Sequence, residues 1–128
     1  VQLGFESGYS ATSLGERLYS SCGEGMAGLL IYTAAGDSEG TLGGLVRLGS
    51  PGRLEATLRR AVERSRWCSS DPICSELGAA GGQGPDSCNL AACHDCAIVA
   101  ETSCESGNRH LDRALVSDPV LGLFRELL

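Results

Sequence analysis

Six of the seven cysteines fall within residues 67–108: Cys68, Cys74, Cys88, Cys93, Cys96 and Cys104. The closest pair is Cys93-His94-Asp95-Cys96, a C-x-x-C turn. Such a turn points both sulfurs at one centre, where a single Zn²⁺ takes both thiolates at about 2.3 Å. A tetrahedral structural site needs two more ligands. Cys68 and Cys74 arrive from upstream in WCSSDPIC, and Cys104 from downstream in ETSCESGN. The spacing therefore offers five candidates, Cys68, Cys74, Cys93, Cys96 and Cys104, for the four places around one Zn²⁺. Cys22 and Cys88 read as ordinary buried thiols.

Other uses of cysteine fit less well. A redox C-x-x-C belongs at a helix N-terminus just after a strand, but Ala91-Ala92 precede this one and no strand-like run lies upstream. A disulfide framework of a secreted domain conflicts with the odd cysteine count and with the clustering in one segment.

A second constellation is Gly36-Asp37-Ser38-Glu39-Gly40, which formally matches the G-x-S-x-G elbow of serine hydrolases. A nucleophilic serine needs a base. The two histidines are His94, inside the thiolate pair, and His110, which has no supporting context. Phosphate binding is opposed by Asp37 and Glu39, two carboxylates where an anion would sit. The loop reads instead as a strand-to-helix connection, with acids favouring the helix N-terminus and glycines allowing close packing.

Charge excludes further classes. The net charge is −6, and all ten basic residues are arginine. With four thiolates around one Zn²⁺ it becomes roughly −8. Such a surface repels phosphate, so bulk charge does not make a nucleic-acid binder. Without lysine there is neither a Walker A loop nor Schiff-base chemistry.

The elements that would position these groups follow from periodicity. Thr12 or Ser13, with Glu16, predicts a short capped helix bearing Leu14, Leu18 and Tyr19 on one face. The apolar run from Ala27 to Thr33 predicts a strand buried on both faces. Ser50 as N-cap and Pro51 at the first helical position open a helix running to Trp67. Its inner face is Leu54, Leu58, Ala61, Val62 and Ser65. Arg53, Arg60 and Arg64 share another face, a local basic stripe that suits a solvated surface or a stand-alone DNA contact. Residues 78–86, GAAGGQGPD, read as an excursion between the two halves of the cysteine site. Residues 109–116 and the segment after Asp118-Pro119 predict two further helices.

The expected fold is α/β. A small sheet with a central buried strand at about 28–33 is packed by helices, and a Cys-rich zinc-binding segment spans 67–108. The chain reads as a single domain over 1–128, and its start at Val1 marks it as a piece of something longer. No apolar run approaches the roughly 20 residues of a transmembrane helix.

Several separated blocks resemble one family in order: GYSATSLGERLY, GLLIYTAAGDSEGTLGGLVRLG, WCSSDPIC, AACHDC and ETSCESGNRHLDRALV. They are similar to the C-terminal part of the DrmB family of bacterial DISARM anti-phage systems. More distantly they resemble the zinc-binding C-terminal domain of MrfA-type repair helicases. The resemblance covers about residues 5–116. It implies a cytoplasmic, non-catalytic accessory domain that works with a superfamily 2 helicase subunit, DrmA-like, and reaches DNA through that complex. It carries Cys68, Cys74, Cys93, Cys96 and Cys104 over as the metal cluster. Cys88 has no place in the family pattern, and the block 36–40 matches one without assigned chemistry. Two other readings remain open: a hydrolase acting through Ser38, and a DNA-binding module using Arg53, Arg60 and Arg64.

Overall fold

The computed structural model describes residues 1–34, 43–98 and 106–127. The order of elements is α1 (Gln2–Ser7), β1 (Leu14–Ser21), β2 (Met26–Thr33), α2 (Gly44–Leu48), α3 (Arg53–Ser65), α4 (Ile73–Ala80) and α5 (Ala114–Ser117). Single 3₁₀ turns lie at Ala11–Ser13, Pro85–Ser87 and Arg125–Leu127. The α/β expectation holds, with helices beside a two-stranded antiparallel sheet.

The sheet differs in two ways from the sequence reading. The expected helix after Ser13 is instead β1. Ser10 Oγ caps the 3₁₀ turn by accepting the Thr12 N–H at 3.3 Å, and the chain then extends. Pairing with β2 overrides weak helical propensity here, since strand preference is set by the neighbour. Leu14 faces Thr33 and Gly15 faces Tyr32 in the register. Gly15 is the telling residue, because a Cβ there would come within 2.6 Å of Tyr32 Cζ. The tyrosine ring lies over the backbone that the glycine leaves bare.

The second difference is burial. The strand at 28–33 is present within β2, but it is neither central nor buried. Every described residue of β2 is exposed except the half-buried Ile31. An apolar run reports that a strand can be covered on both faces, not what covers it.

The helices form the packed part. α1 contacts both α2 and α3, and α2 contacts α3. Gly44 lets α1 and α2 approach, since a Cβ there would lie 2.8 Å from the Ser7 carbonyl oxygen. Tyr9, Leu14, Leu48 and Val62 are buried in this region. Across α1 and α3, the Glu6 carboxylate accepts from Thr57 Oγ1 at 2.6 Å and from Arg60 Nε and Nη2 at 2.8 Å each. Arg64 Nη1 donates to Gln2 Oε1 at 2.9 Å, and its guanidinium lies 5.9 Å above the Phe5 ring.

α3 begins later than expected. Gly52, at φ 83°, takes the N-cap position, and its N–H donates to Glu55 Oε2 at 2.5 Å. Ser50 contributes its carbonyl, which accepts from Arg53 and Leu54. The predicted inward face is covered only in part. Val62 is buried as expected and Ala61 and Ser65 are half-buried, whereas Leu54 and Leu58 are 36% and 38% exposed. Thr57, beside this face, is buried where its hydroxyl donates to the Glu6 carboxylate.

Toward the C-terminus, α5 is shorter than the predicted 109–116 helix. Leu90 N–H donates to Leu111 O at 2.9 Å, and Arg113 N–H donates to Ala91 O at 3.2 Å. These bonds hold 111–113 against 89–91. Asp118 does cap the last segment, accepting the Val120 and Leu121 N–H groups at 2.7 and 2.8 Å. A turn follows rather than a regular helix.

Candidate metal centre

The upstream half of the site begins where α3 stops. The helix ends at Ser65, and Cys68 follows in a tight loop. Asp71 organises that loop: its Oδ2 accepts the Cys68 N–H at 3.0 Å, and its own N–H donates to Cys68 O at 3.0 Å. The Ser70 N–H points at Cys68 Sγ at 3.4 Å. Pro72 then starts α4, which carries Cys74 in its first turn. Cys68 and Cys74 are almost completely buried.

The downstream half is the C-x-x-C turn. Cys93 N–H donates to Cys96 Sγ at 3.3 Å, and Cys93 O accepts from Cys96, Ala97 and Ile98 N–H groups at 3.1–3.2 Å. A hydrogen bond joins the halves, from Ser70 Oγ to Asp95 Oδ2 at 2.5 Å.

Together the turns bring four sulfurs to one point. Cys68, Cys74, Cys93 and Cys96 Sγ all lie within 4.8 Å of one another. Cys68 Sγ is 3.5 Å from Cys93 Sγ, Cys74 Sγ is 3.8 Å from Cys96 Sγ, and Cys93 Sγ is 3.9 Å from Cys96 Sγ. A regular tetrahedron with Zn–S arms of about 2.3 Å has sulfur–sulfur edges of about 3.8 Å. A disulfide would need about 2.04 Å. The donor set thus fits Zn²⁺, and it does not fit a bridged pair. Four thiolates also fill the coordination sphere, leaving no position for water.

The thiols show why a cation suits the site. Burial pushes the Cys96 thiol up to about 12, with the sulfurs of Cys74, Cys93 and Cys68 acting in the same direction. Burial raises Cys68 as well. Cys93 goes the other way: burial opposes its ionisation, but the Asp95 N–H and the other three sulfurs bring it below the ordinary thiol range. Charge on one sulfur thus opposes charge on its neighbours. A divalent cation at the centre removes that conflict.

Asp71 and Arg113 support the cluster from outside, and the motif analysis did not single them out. Arg113 Nη2 meets Asp71 Oδ1 at 2.6 Å, and its Nη1 donates to Ser65 O at 3.2 Å. Arg113 is only 7% exposed, and its buried Nε has no hydrogen-bond partner among the described residues. Burial works against its charge, yet Asp71, Cys74 and Cys96 hold it protonated more firmly than usual. Desolvation acts upward on Asp71, but Arg113 and the Cys68 N–H keep its carboxyl below the usual range. An Asp three residues after a cysteine is a readable turn signal. Arg113 had none, because it reaches the site only through tertiary structure.

Of the five sequence candidates, Cys68, Cys74, Cys93 and Cys96 converge. Cys104 lies outside the described residues, as does the block Gly36–Gly40 with Ser38. Cys22 is exposed at the hairpin turn and Cys88 is half-buried, so neither is the buried thiol expected. The basic stripe is also altered. Arg60 and Arg64 face α1 through Glu6 and Gln2, and only Arg53 of the three has no such link to α1. Among the described residues, no helix is long and apolar enough to cross a membrane.

Comparison with known proteins gives two matches. The sequence profile described as the MrfA Zn-binding domain matches residues 2–97. The DISARM protein DrmB of Bacillus paralicheniformis is 47% identical over 115 residues, which cover 90% of this chain. The chain spans about a fifth of that relative, the matched stretch being 20% of its length.

Proposed function

This chain belongs to the MrfA Zn-binding domain family, and from that premise we propose that it is a zinc-stabilised accessory domain of a DISARM-type anti-phage protein. In this reading Cys68, Cys74, Cys93 and Cys96 ligate one Zn²⁺. The observation that carries it is the spacing of the four sulfurs, 3.5, 3.8 and 3.9 Å along three edges. When bound, the metal supplies a cross-link and no open coordination position. In this reading the domain is non-catalytic, and its role is to hold surfaces in place.

The partners follow from the likeness to DrmB and from charge. A DrmA-like helicase subunit would supply the motor, and this chain, without lysine and with net charge −6, would contribute little attraction to DNA alone. The engagement of Arg60 and Arg64 with α1 supports the same conclusion. A cytoplasmic location accompanies that role.

Two measurements test the proposal. Elemental analysis of the purified protein should give one zinc per chain, falling to none in Cys93→Ser/Cys96→Ser. Co-purification with the helicase subunit should be lost in the same variant. A zinc-free, fully folded wild type overturns the metal assignment, and unchanged co-purification by the zinc-free variant overturns the accessory role.

A further inference from the structure

The β1–β2 hairpin presents apolar side chains on both faces. The register places Leu18 opposite Leu29 on one face and puts Tyr19, Leu30 and Tyr32 on the other. Leu18 is 73% exposed and Leu29 61%, while Tyr19, Leu30 and Tyr32 are exposed by 42–47%. Only the base of the hairpin, at Leu14 and Gly15, is buried. A two-stranded hairpin is marginal by itself in water. Contiguous exposed apolar surface marks a binding face.

We infer that this hairpin is inserted into the remainder of a DrmB-length polypeptide and covered by it on both faces. This rests on the reading of the chain as one domain of a DrmB-like protein. Two observations choose the occupant. First, both faces need cover at once. A second copy in a two-fold dimer would bring the same face to each partner and leave the opposite face bare. A surrounding polypeptide, contributing a layer on each side, covers both. Second, the matched stretch is 20% of the DrmB relative, so most of such a chain lies outside it. The hairpin is thus the surface through which the zinc-held body is anchored to its neighbours.

Site-specific photo-cross-linking tests this on the natural protein at its full length. A benzoyl-phenylalanine replaces Leu29 on one face or Tyr32 on the other, and cross-linked peptides are mapped by mass spectrometry. Mixing isotopically light and heavy protein separates contacts within one chain from those between copies. The expected result is cross-links from both positions, within one chain, to peptides outside residues 1–128. Cross-links between copies, cross-links from one face only, cross-links confined to residues 1–128, or none at all overturn the inference. Leu18 and Tyr19 serve as replacement positions on the respective faces if either variant fails to fold. Zinc is measured on the same samples. One equivalent of zinc without these cross-links removes the docking surface alone. The cross-links without zinc remove the metal assignment alone.

Discussion

Arg113 Nη2 lies 2.6 Å from Asp71 Oδ1, while the other oxygen of that carboxylate accepts the Cys68 N–H at 3.0 Å. A cation, an anion and a metal-ligand backbone are therefore connected in series. Four thiolates and one Zn²⁺ carry a net charge of about −2, and the Arg113 guanidinium sits where it offsets part of that.

Replacing Arg113 by Met should weaken zinc binding on the order of 10–100-fold, the usual effect of losing an outer-shell partner. It also leaves the half-buried Asp71 carboxylate without its cation, which lowers stability. Competition against a chromophoric chelator reads the first effect and urea denaturation the second. Zinc affinity equal to wild type would show that Arg113 does not act on the cluster.

Chelation should unfold the region around residues 67–98 and release 111–113 from its place beside it. Structural zinc contributes on the order of 10–16 kcal/mol in small domains, against a typical total stability of about 5–15 kcal/mol. Amide exchange before and after verified zinc removal should show protection lost in this region. Unchanged protection would mean that the cysteine turns fold without the metal.

The partly covered face of α3 gives a paired test. Val62 is 4% exposed and Leu58 is 38% exposed. Val62→Asp buries an unpaired charge and should cost several kcal/mol, roughly 3 or more. Leu58→Asp should cost under about 1 kcal/mol, as surface changes do. Thermal melts of the two proteins side by side decide it, and equal losses would refute this orientation of the helix.

Acid should weaken the α1–α3 junction through Glu6. Hydrogen bonds from Arg60, Thr57 and Gln2 lower its pKa from 4.5 to about 2. A carboxyl with a depressed folded-state pKa adds stability that is fully present above its unfolded value. That stability is lost as pH falls through the folded value. The gap in urea midpoint between wild type and Glu6→Gln should therefore be constant from neutral pH down to about 4.5. It should then close toward pH 2. A gap that persists through that window would remove Glu6 from the acid response.

Arg60→Glu places two carboxylates together at that junction and should lower the melting temperature. Arg53→Glu, on an exposed residue, should leave stability within about 0.5 kcal/mol of wild type. Any DNA contribution of the arginine stripe inside a larger assembly is thus cleanly tested at Arg53 alone. A stable Arg60→Glu protein would return Arg60 to the solvated surface.

The cysteine cluster was legible because ligand chemistry constrains spacing. C-x-x-C forces two sulfurs together, and WCSSDPIC supplies the other two through a turn that Asp71 closes. α3 was legible from its periodicity, but the burial of Thr57 was not, because the Glu6 carboxylate it meets lies far upstream in the chain. β1 was misread as helix for a similar reason. Its Ser-x-x-Glu signature is local, whereas the pairing of Gly15 with Tyr32 is not. The run at 28–33 gave the strand correctly, yet hydrophobicity carries no information about which neighbour covers it. Arg113 was invisible because nothing in its vicinity marks a residue that will meet Asp71.

The position of Arg113 along the chain has a consequence for synthesis. The four sulfurs leave the ribosome together by Cys96, and the guanidinium emerges only later. Until then the Cys68 loop lacks the ion pair between Arg113 and Asp71. When 111–113 bonds to 89–91, Arg113 arrives against Asp71. The order of synthesis thus delivers the four ligands before the pair that supports them.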